Sequence, residues 1–179
     1  MSEAVGTATL IVLCGRSFSG KSTLGIALAA SWGAEVVSLD AINERRGLPS
    51  GHVIPVEEWQ RTHEVARGEV VALLASRRSV VLDDTSSLRF LREGWRALAR
   101  EAGAVFALVF VDTARDEIER RVRANRADPV RHDVEDGVLA EHLDGFEAPG
   151  ADERPVVVGG GVVVDAEDVV ARIRSQLDG

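Results

Sequence analysis

The sequence predicts an α/β fold of three layers, a five-stranded parallel sheet with helices on both faces. Three observations lead there. Short apolar runs and helically spaced segments alternate five times along the 179 residues, which is the pattern of successive βαβ units. The first apolar run passes through a Gly-containing turn directly into a segment rich in Leu and Ala. Acidic residues recur where the apolar runs end, at the edge where an open parallel sheet gathers its ligands.

Taken in order, residues 8–14 form a continuous apolar run, as a central strand buried on both faces requires. A helix is expected from Lys21 to about Trp32, then a strand over Glu35–Leu39 that ends at Asp40. Residues 41–55 carry Gly47, Pro49, Gly51 and Pro55 and read as a loop that opens with a short helical turn. From Val56 to Ala75 the apolar residues keep helical spacing, with Pro55, Glu57 and Glu58 suited to a helix start. Ser79–Leu82 is a third strand, running into Asp83-Asp84-Thr85, and residues 87–102 a helix with Leu88, Leu91, Trp95 and Leu98 on one face. Val105–Val111 is a fourth strand ending at Asp112, and residues 114–125 are helical. Residues 126–136 are polar, with Pro129, and are expected as an ordered loop before a helix over about 134–146. The last strand falls within Val156–Asp165, with Val162-Val163-Val164 as the expected pairing segment, and a closing helix spans Ala166 to about Leu177.

The length suits one domain, 1–179, with no repeat and no second-domain boundary. No apolar run reaches the roughly 18 residues that cross a bilayer. The N-terminus lacks the positive region of a secretory signal, and the single Cys14 cannot form an internal disulfide. A cytoplasmic location is the resulting expectation. The net charge of −8 weighs against broad nucleic-acid binding, which rests on clustered Lys and Arg. Arginines at 45–46, 77–78 and 120–131 could still face a phosphorylated ligand.

The turn Gly15-Arg16-Ser17-Phe18-Ser19-Gly20-Lys21-Ser22, followed by Thr23, fits the pattern Gly-x4-Gly-Lys-Ser/Thr. Binding a phosphate requires several backbone N–H groups to converge on one anion, which a tight turn entering a helix N-terminus provides. Lys21 would reach the β- and γ-phosphate oxygens, and the Ser22 hydroxyl would ligate Mg²⁺. ATP and Mg²⁺ are therefore expected. At the strand ends, Asp83 and Asp84 are candidates for Mg²⁺ binding and Asp40 for a general base on an acceptor hydroxyl; strand-end acids also serve simply as helix caps. Asp112 reads as such a cap. Arg121, Arg126 and Arg131 are expected in a lid over about 121–136 that closes on the triphosphate, whereas Arg120 and Arg123 suit a solvated face paired with Glu117 and Glu119. Arg46, Trp59 and His63 would line an acceptor pocket, although a plain surface or core His63 fits as well.

On these residues the chain resembles the small P-loop kinases of the adenylate-kinase-like group, closest to the branch of polynucleotide kinase, seryl-tRNA kinase and many "AAA family ATPase" proteins. The resemblance runs over Gly15–Thr23, Ser38–Asp40 with Arg45 and Arg46, Val80–Thr85, the 121–131 segment and Phe146–Pro149. It implies a sheet order 2-3-1-4-5, Asp40 as general base, Arg45 or Arg46 on the acceptor's phosphate, and lid arginines on ATP; Asp84 and Thr85 are expected beside the substrate. The chain departs from that branch at Ser86, where Asn is usual, and in its acidity. The reading is a kinase acting on a small-molecule hydroxyl, as a monomer or homodimer. The alternatives are a polynucleotide or tRNA kinase and an ATPase serving as an assembly or regulatory factor.

Overall fold

The structure is a computed structural model that describes residues 7–48, 54–130, 132–161 and 164–178. Strand β1 (Thr9–Cys14) is buried at every position, because it lies at the middle of the sheet. It pairs in parallel with β3 (Val80–Asp83) on one side and β4 (Val105–Asp112) on the other. With β2 (Glu35–Ser38) and β5 (Val156–Gly159) outside them, the order is β2-β3-β1-β4-β5. The predicted three-layer fold and strand order are thus what the chain adopts.

Alternation along the strands splits the core in two. Leu10, Val12, Val80, Leu82, Leu108 and Phe110 face one side, covered by α2 (Leu39–Arg45), α3 (Val56–Ala75) and α4 (Arg89–Glu101). Ile11, Leu13, Val81, Val109 and Val111 face the other, covered by α1 (Lys21–Trp32) and α7 (Ala166–Leu177). A third, smaller cluster joins α5 (Arg115–Ala127) to α6 (Asp136–Asp144) through Ile118, Val122, Val138, Leu139 and Leu143. Phe18 of the Gly-rich turn belongs to that cluster, so the turn shares a core with α5 and α6.

Three expectations are corrected. Leu39 and Asp40 open a helix instead of ending a strand: the Ser38 hydroxyl accepts a hydrogen bond from the Ala41 N–H at 3.4 Å and caps α2. Leu39 is buried, as it would be in a strand, so the apolar pattern could not distinguish the two. The last strand is Val156–Gly159, with Val156 and Val158 buried and Val157 exposed; Val162 and Val163 lie outside the described residues. Valines on both sides of Gly159–Gly161 are equally suited to a strand, and Val156–Gly159 pair with β4. Asp112 does not cap α5, whose N-cap position is Ala114. A 3₁₀ turn at Ala151–Glu153 had no signal of its own.

Candidate active site

The Gly-rich turn leaves β1 through Gly15, where a Cβ would come within 2.8 Å of the Val111 carbonyl oxygen. It enters α1 through Gly20, whose φ of 100° is a conformation side chains resist. Between them the Gly15 N–H donates to the Thr85 carbonyl at 3.1 Å and the Ser19 N–H to the Arg16 carbonyl at 3.2 Å. Lys21, 7% exposed, folds back over the turn and donates from Nζ to the same Arg16 carbonyl at 2.8 Å. Burial lowers its pKa, opposed by the charges of Asp83, Asp84 and Asp40. The Ser22 hydroxyl bonds the Asp83 carboxylate, whose pKa is raised by burial. The buried Ser19 hydroxyl has no hydrogen-bond partner.

The two adjacent carboxylates are put to different uses. Asp83 turns to Ser22, while Asp84 Oδ2 accepts from the Ser86 N–H at 3.1 Å and the Ser86 hydroxyl at 3.2 Å. Ser86 has φ 44°, a region that Asn tolerates better than most residues. Ser86 holds this conformation through its paired bonds to Asp84.

Arg92, one turn into α4, anchors the loop that carries Ser86. Its guanidinium forms two bonds to Glu153, at 2.6 and 2.9 Å, and donates to the Ser86 and Glu147 carbonyls, both at 2.9 Å. Neither Arg92 nor Glu153 stood out in the sequence, because the partners are 61 residues apart and neither belongs to a motif.

A single cleft of about 820 Å³ unites Ser17–Thr23, Asp40, Trp59, Asp83, Asp84 and Thr85. His142 of α6, which no motif marked, joins it, with Nδ1 3.3 Å from the Ser17 hydroxyl. Asn43 and Thr62 line the same cleft, and the Thr62 hydroxyl donates to Asn43 Oδ1 at 2.5 Å. Other predicted residues lie elsewhere. Arg16 stacks over Phe146, 4.6 Å from the ring centre. Arg45 pairs with Glu69 at 2.5 Å, and Arg46 is held by Glu58 and Thr62. Arg121 donates to the Phe18 and Ser19 carbonyls at 3.1 and 2.9 Å, to the Gly160 carbonyl and to Glu117, so it braces the turn from behind. Arg126 is tied to Asp133, Asp136 and the Val134 carbonyl, between α5 and α6. His63 lies in a neighbouring cavity, and Arg131 is outside the described residues.

Gly160 completes the back wall. Its N–H donates to the Asp112 carbonyl at 2.8 Å, and a Cβ there would stand 1.5 Å from the Thr113 hydroxyl, which itself donates to the Ser19 carbonyl at 3.0 Å. Among the described residues no group of three His, Cys, Asp or Glu side chains could hold a metal alone, and no helix is long and apolar enough to cross a membrane.

The family described as AAA domain matches residues 10–149. Among solved structures, a candidate kinase of Chloroflexus aurantiacus is 21% identical with a TM-score of 0.72, covering 96% of this chain and 97% of that one. A gluconokinase of Sinorhizobium meliloti is 23% identical with a TM-score of 0.64, over 96% and 93% of the two chains. The APS kinase of Mycobacterium tuberculosis, solved with AMPPNP and APS, is 17% identical with a TM-score of 0.67, over 97% and 99%. No curated protein matches the chain. The fold is a P-loop kinase-like one shared with several such proteins, not the mark of a single kinase.

Proposed function

The chain belongs to the AAA domain family, and from that membership and its cleft we propose an ATP- and Mg²⁺-dependent phosphotransferase that acts on a hydroxyl of a small molecule. The carrying observation is the arrangement of one cleft: the Gly-rich turn with Lys21, the Ser22–Asp83 hydrogen bond beside it, and Asp40 on the wall of the same cleft. Residues 1–179 act in this reading as one cytoplasmic domain with a lid at about 121–136.

The residues present suit the metal. Mg²⁺ keeps several waters and takes one or two protein ligands with substrate phosphates, so Ser22 and Asp83 are a sufficient set and Asp84, held by Ser86, is a poorer one. The unpartnered Ser19 hydroxyl and the N–H groups entering α1 are donors of the kind a phosphate uses. Mg²⁺ held there by Ser22 and Asp83 would supply positive charge that offsets the charge of the phosphates. Lys21 exchanges its bond to the Arg16 carbonyl for the β- and γ-phosphate oxygens. Asp40 orients the acceptor hydroxyl and takes its proton as the acceptor oxygen bonds to the γ-phosphorus and the bond to the β–γ bridging oxygen breaks. Arg121 keeps the turn in shape, a positioning role supported by its bonds to two turn carbonyls.

The small-molecule acceptor is preferred over an oligonucleotide because Arg45 and Arg46, the candidates for an acceptor phosphate, are already occupied by Glu69, Glu58 and Thr62. The test is transfer of label from γ-labelled ATP to a panel of hydroxylated metabolites, nucleosides, aminoglycosides, 5′-hydroxyl oligonucleotides and tRNA. Label in a small organic product supports the proposal. Label in oligonucleotide or tRNA selects the nucleic-acid kinase, and label only in free phosphate selects the ATPase factor.

A further inference from the structure

Beside the cleft lies a second cavity of about 300 Å³, between the first halves of α3 and α4. Four aromatic rings line it, Trp59 and His63 from α3 and Phe90 and Trp95 from α4, with Glu64 also in the wall. The Trp59 and His63 rings stand 4.0 Å apart between centres, and His63 and Trp95 6.1 Å. Arg67 lies 5.7 Å over the Trp95 ring, and Gln60 stands at the rim. Trp59 and Leu91 line this cavity and the cleft alike, so the two spaces share a wall.

Two features are unexplained by packing alone. Phe90 is 61% exposed at the cavity's edge, a large apolar ring left in water. His63 is 9% exposed, and its buried Nε2 has no hydrogen-bond partner. An unpaired buried polar atom is costly. Burial lowers the His63 pKa, so the ring is neutral near pH 7, with one nitrogen to donate and one to accept.

We propose that this cavity is a subsite for a planar aromatic or heteroaromatic group of the acceptor, whose hydroxyl then reaches past Trp59 to Asp40 in the cleft. The inference rests on the phosphotransferase reading above. The volume is at the lower end for ligand pockets and suits one or two fused rings. Flat rings gain from offset or edge contacts with Trp59, Trp95 and Phe90. A polyol placed there would set part of its hydroxyls against the ring faces, out of reach of Gln60, Glu64 and Arg67, and that desolvation is unfavourable. A heteroaromatic ring offers one or two polar atoms, and the Gln60 amide at the rim can meet them. Phe90 would then be covered by ligand instead of water.

Two of the three tryptophans, Trp59 and Trp95, line the cavity, so intrinsic fluorescence reports on it without any turnover. Adenosine, guanosine, cytidine, uridine and pyridoxine would be titrated against glucose and gluconate, using wild type, Lys21→Ala and Phe90→Ala. We expect saturable quenching by at least one aromatic compound, retained in Lys21→Ala and weakened about tenfold in Phe90→Ala, the loss expected for one stacking partner. Wild-type transfer to that compound should show a KM raised by a similar factor in Phe90→Ala with kcat little changed. Aromatic binding without transfer would keep the cavity assignment and sink the kinase reading. Transfer to a polyol with no aromatic quenching, or quenching that Phe90→Ala leaves intact, would overturn the subsite and leave the kinase reading standing.

Discussion

Replacing Arg92 with Met should destabilise the protein more than any surface change, and the amount can be worked from its contacts. Arg92 is 1% exposed and Glu153 5%. The substitution keeps most of the side-chain volume but removes two bonds to Glu153 and one each to the Ser86 and Glu147 carbonyls. Glu153 keeps only the Gly150 N–H, at 3.1 Å. Breaking a buried ion pair from one side costs about 3–5 kcal/mol, since the surviving charge is stranded. For a chain of this size a loss of about 3–5 kcal/mol corresponds to a Tm lower by about 6–20 °C. The double variant Arg92→Met with Glu153→Leu strands no charge and should recover most of the loss. Urea unfolding at pH 7 of wild type, both single variants and the double variant closes the cycle. Arg92 holds the Glu153 pKa below its usual value. That part of the stability is therefore complete above the unfolded carboxyl value of about 4.3 and drains away as pH falls through the lower folded value. The deficit of Arg92→Met should accordingly shrink in acid. A single-variant loss under about 1 kcal/mol, or a double variant no better than the single, would refute the reasoning.

Gly160→Ala would bring a Cβ to 1.5 Å from the Thr113 hydroxyl, so Thr113 must leave the Ser19 carbonyl. Overpacking of this kind costs about 1–3 kcal/mol, and the variant should show both a lower melting point and weaker ATP binding by calorimetry. The Cys14 thiol is buried and its pKa is pushed up to about 12, chiefly by burial. A thiol reagent at pH 8 should titrate none in the native protein and one after unfolding; a prompt native reaction would contradict the packing of β1.

Much of the fold could be read from the sequence because its signals are local. Lys21–Trp32, Val56–Ala75 and Ala166–Leu177 are helices over the predicted spans, each marked by apolar spacing and a clear start. The Gly-Lys-Ser turn carries its own geometry in two glycines. Where the outcome depended on residues far along the chain, the sequence was silent. The pairing of Arg92 with Glu153 joins α4 to a 3₁₀ turn 61 residues later. The placement of the last strand at Val156–Gly159 depends on its pairing with β4, more than forty residues earlier in the chain. Adjacent Asp83 and Asp84 looked equivalent until the backbone turned one to Ser22 and the other to Ser86. Arg45, Arg46 and Arg126 were read as ligand-facing from their charge, yet each has acidic partners within reach.

The central claim is that Asp40, across the cleft from Lys21, serves the acceptor and not the nucleotide. Asp40→Asn changes one oxygen to an amide in the first turn of α2 and should leave the fold intact. The decisive measurement pairs ATP affinity with the rate of labelled γ-phosphate transfer in that variant and the wild type. The account predicts ATP affinity within about twofold of wild type and transfer reduced by about 10²–10⁴, the contribution of a general base. Transfer at the wild-type rate, or loss of ATP binding along with transfer, would contradict it.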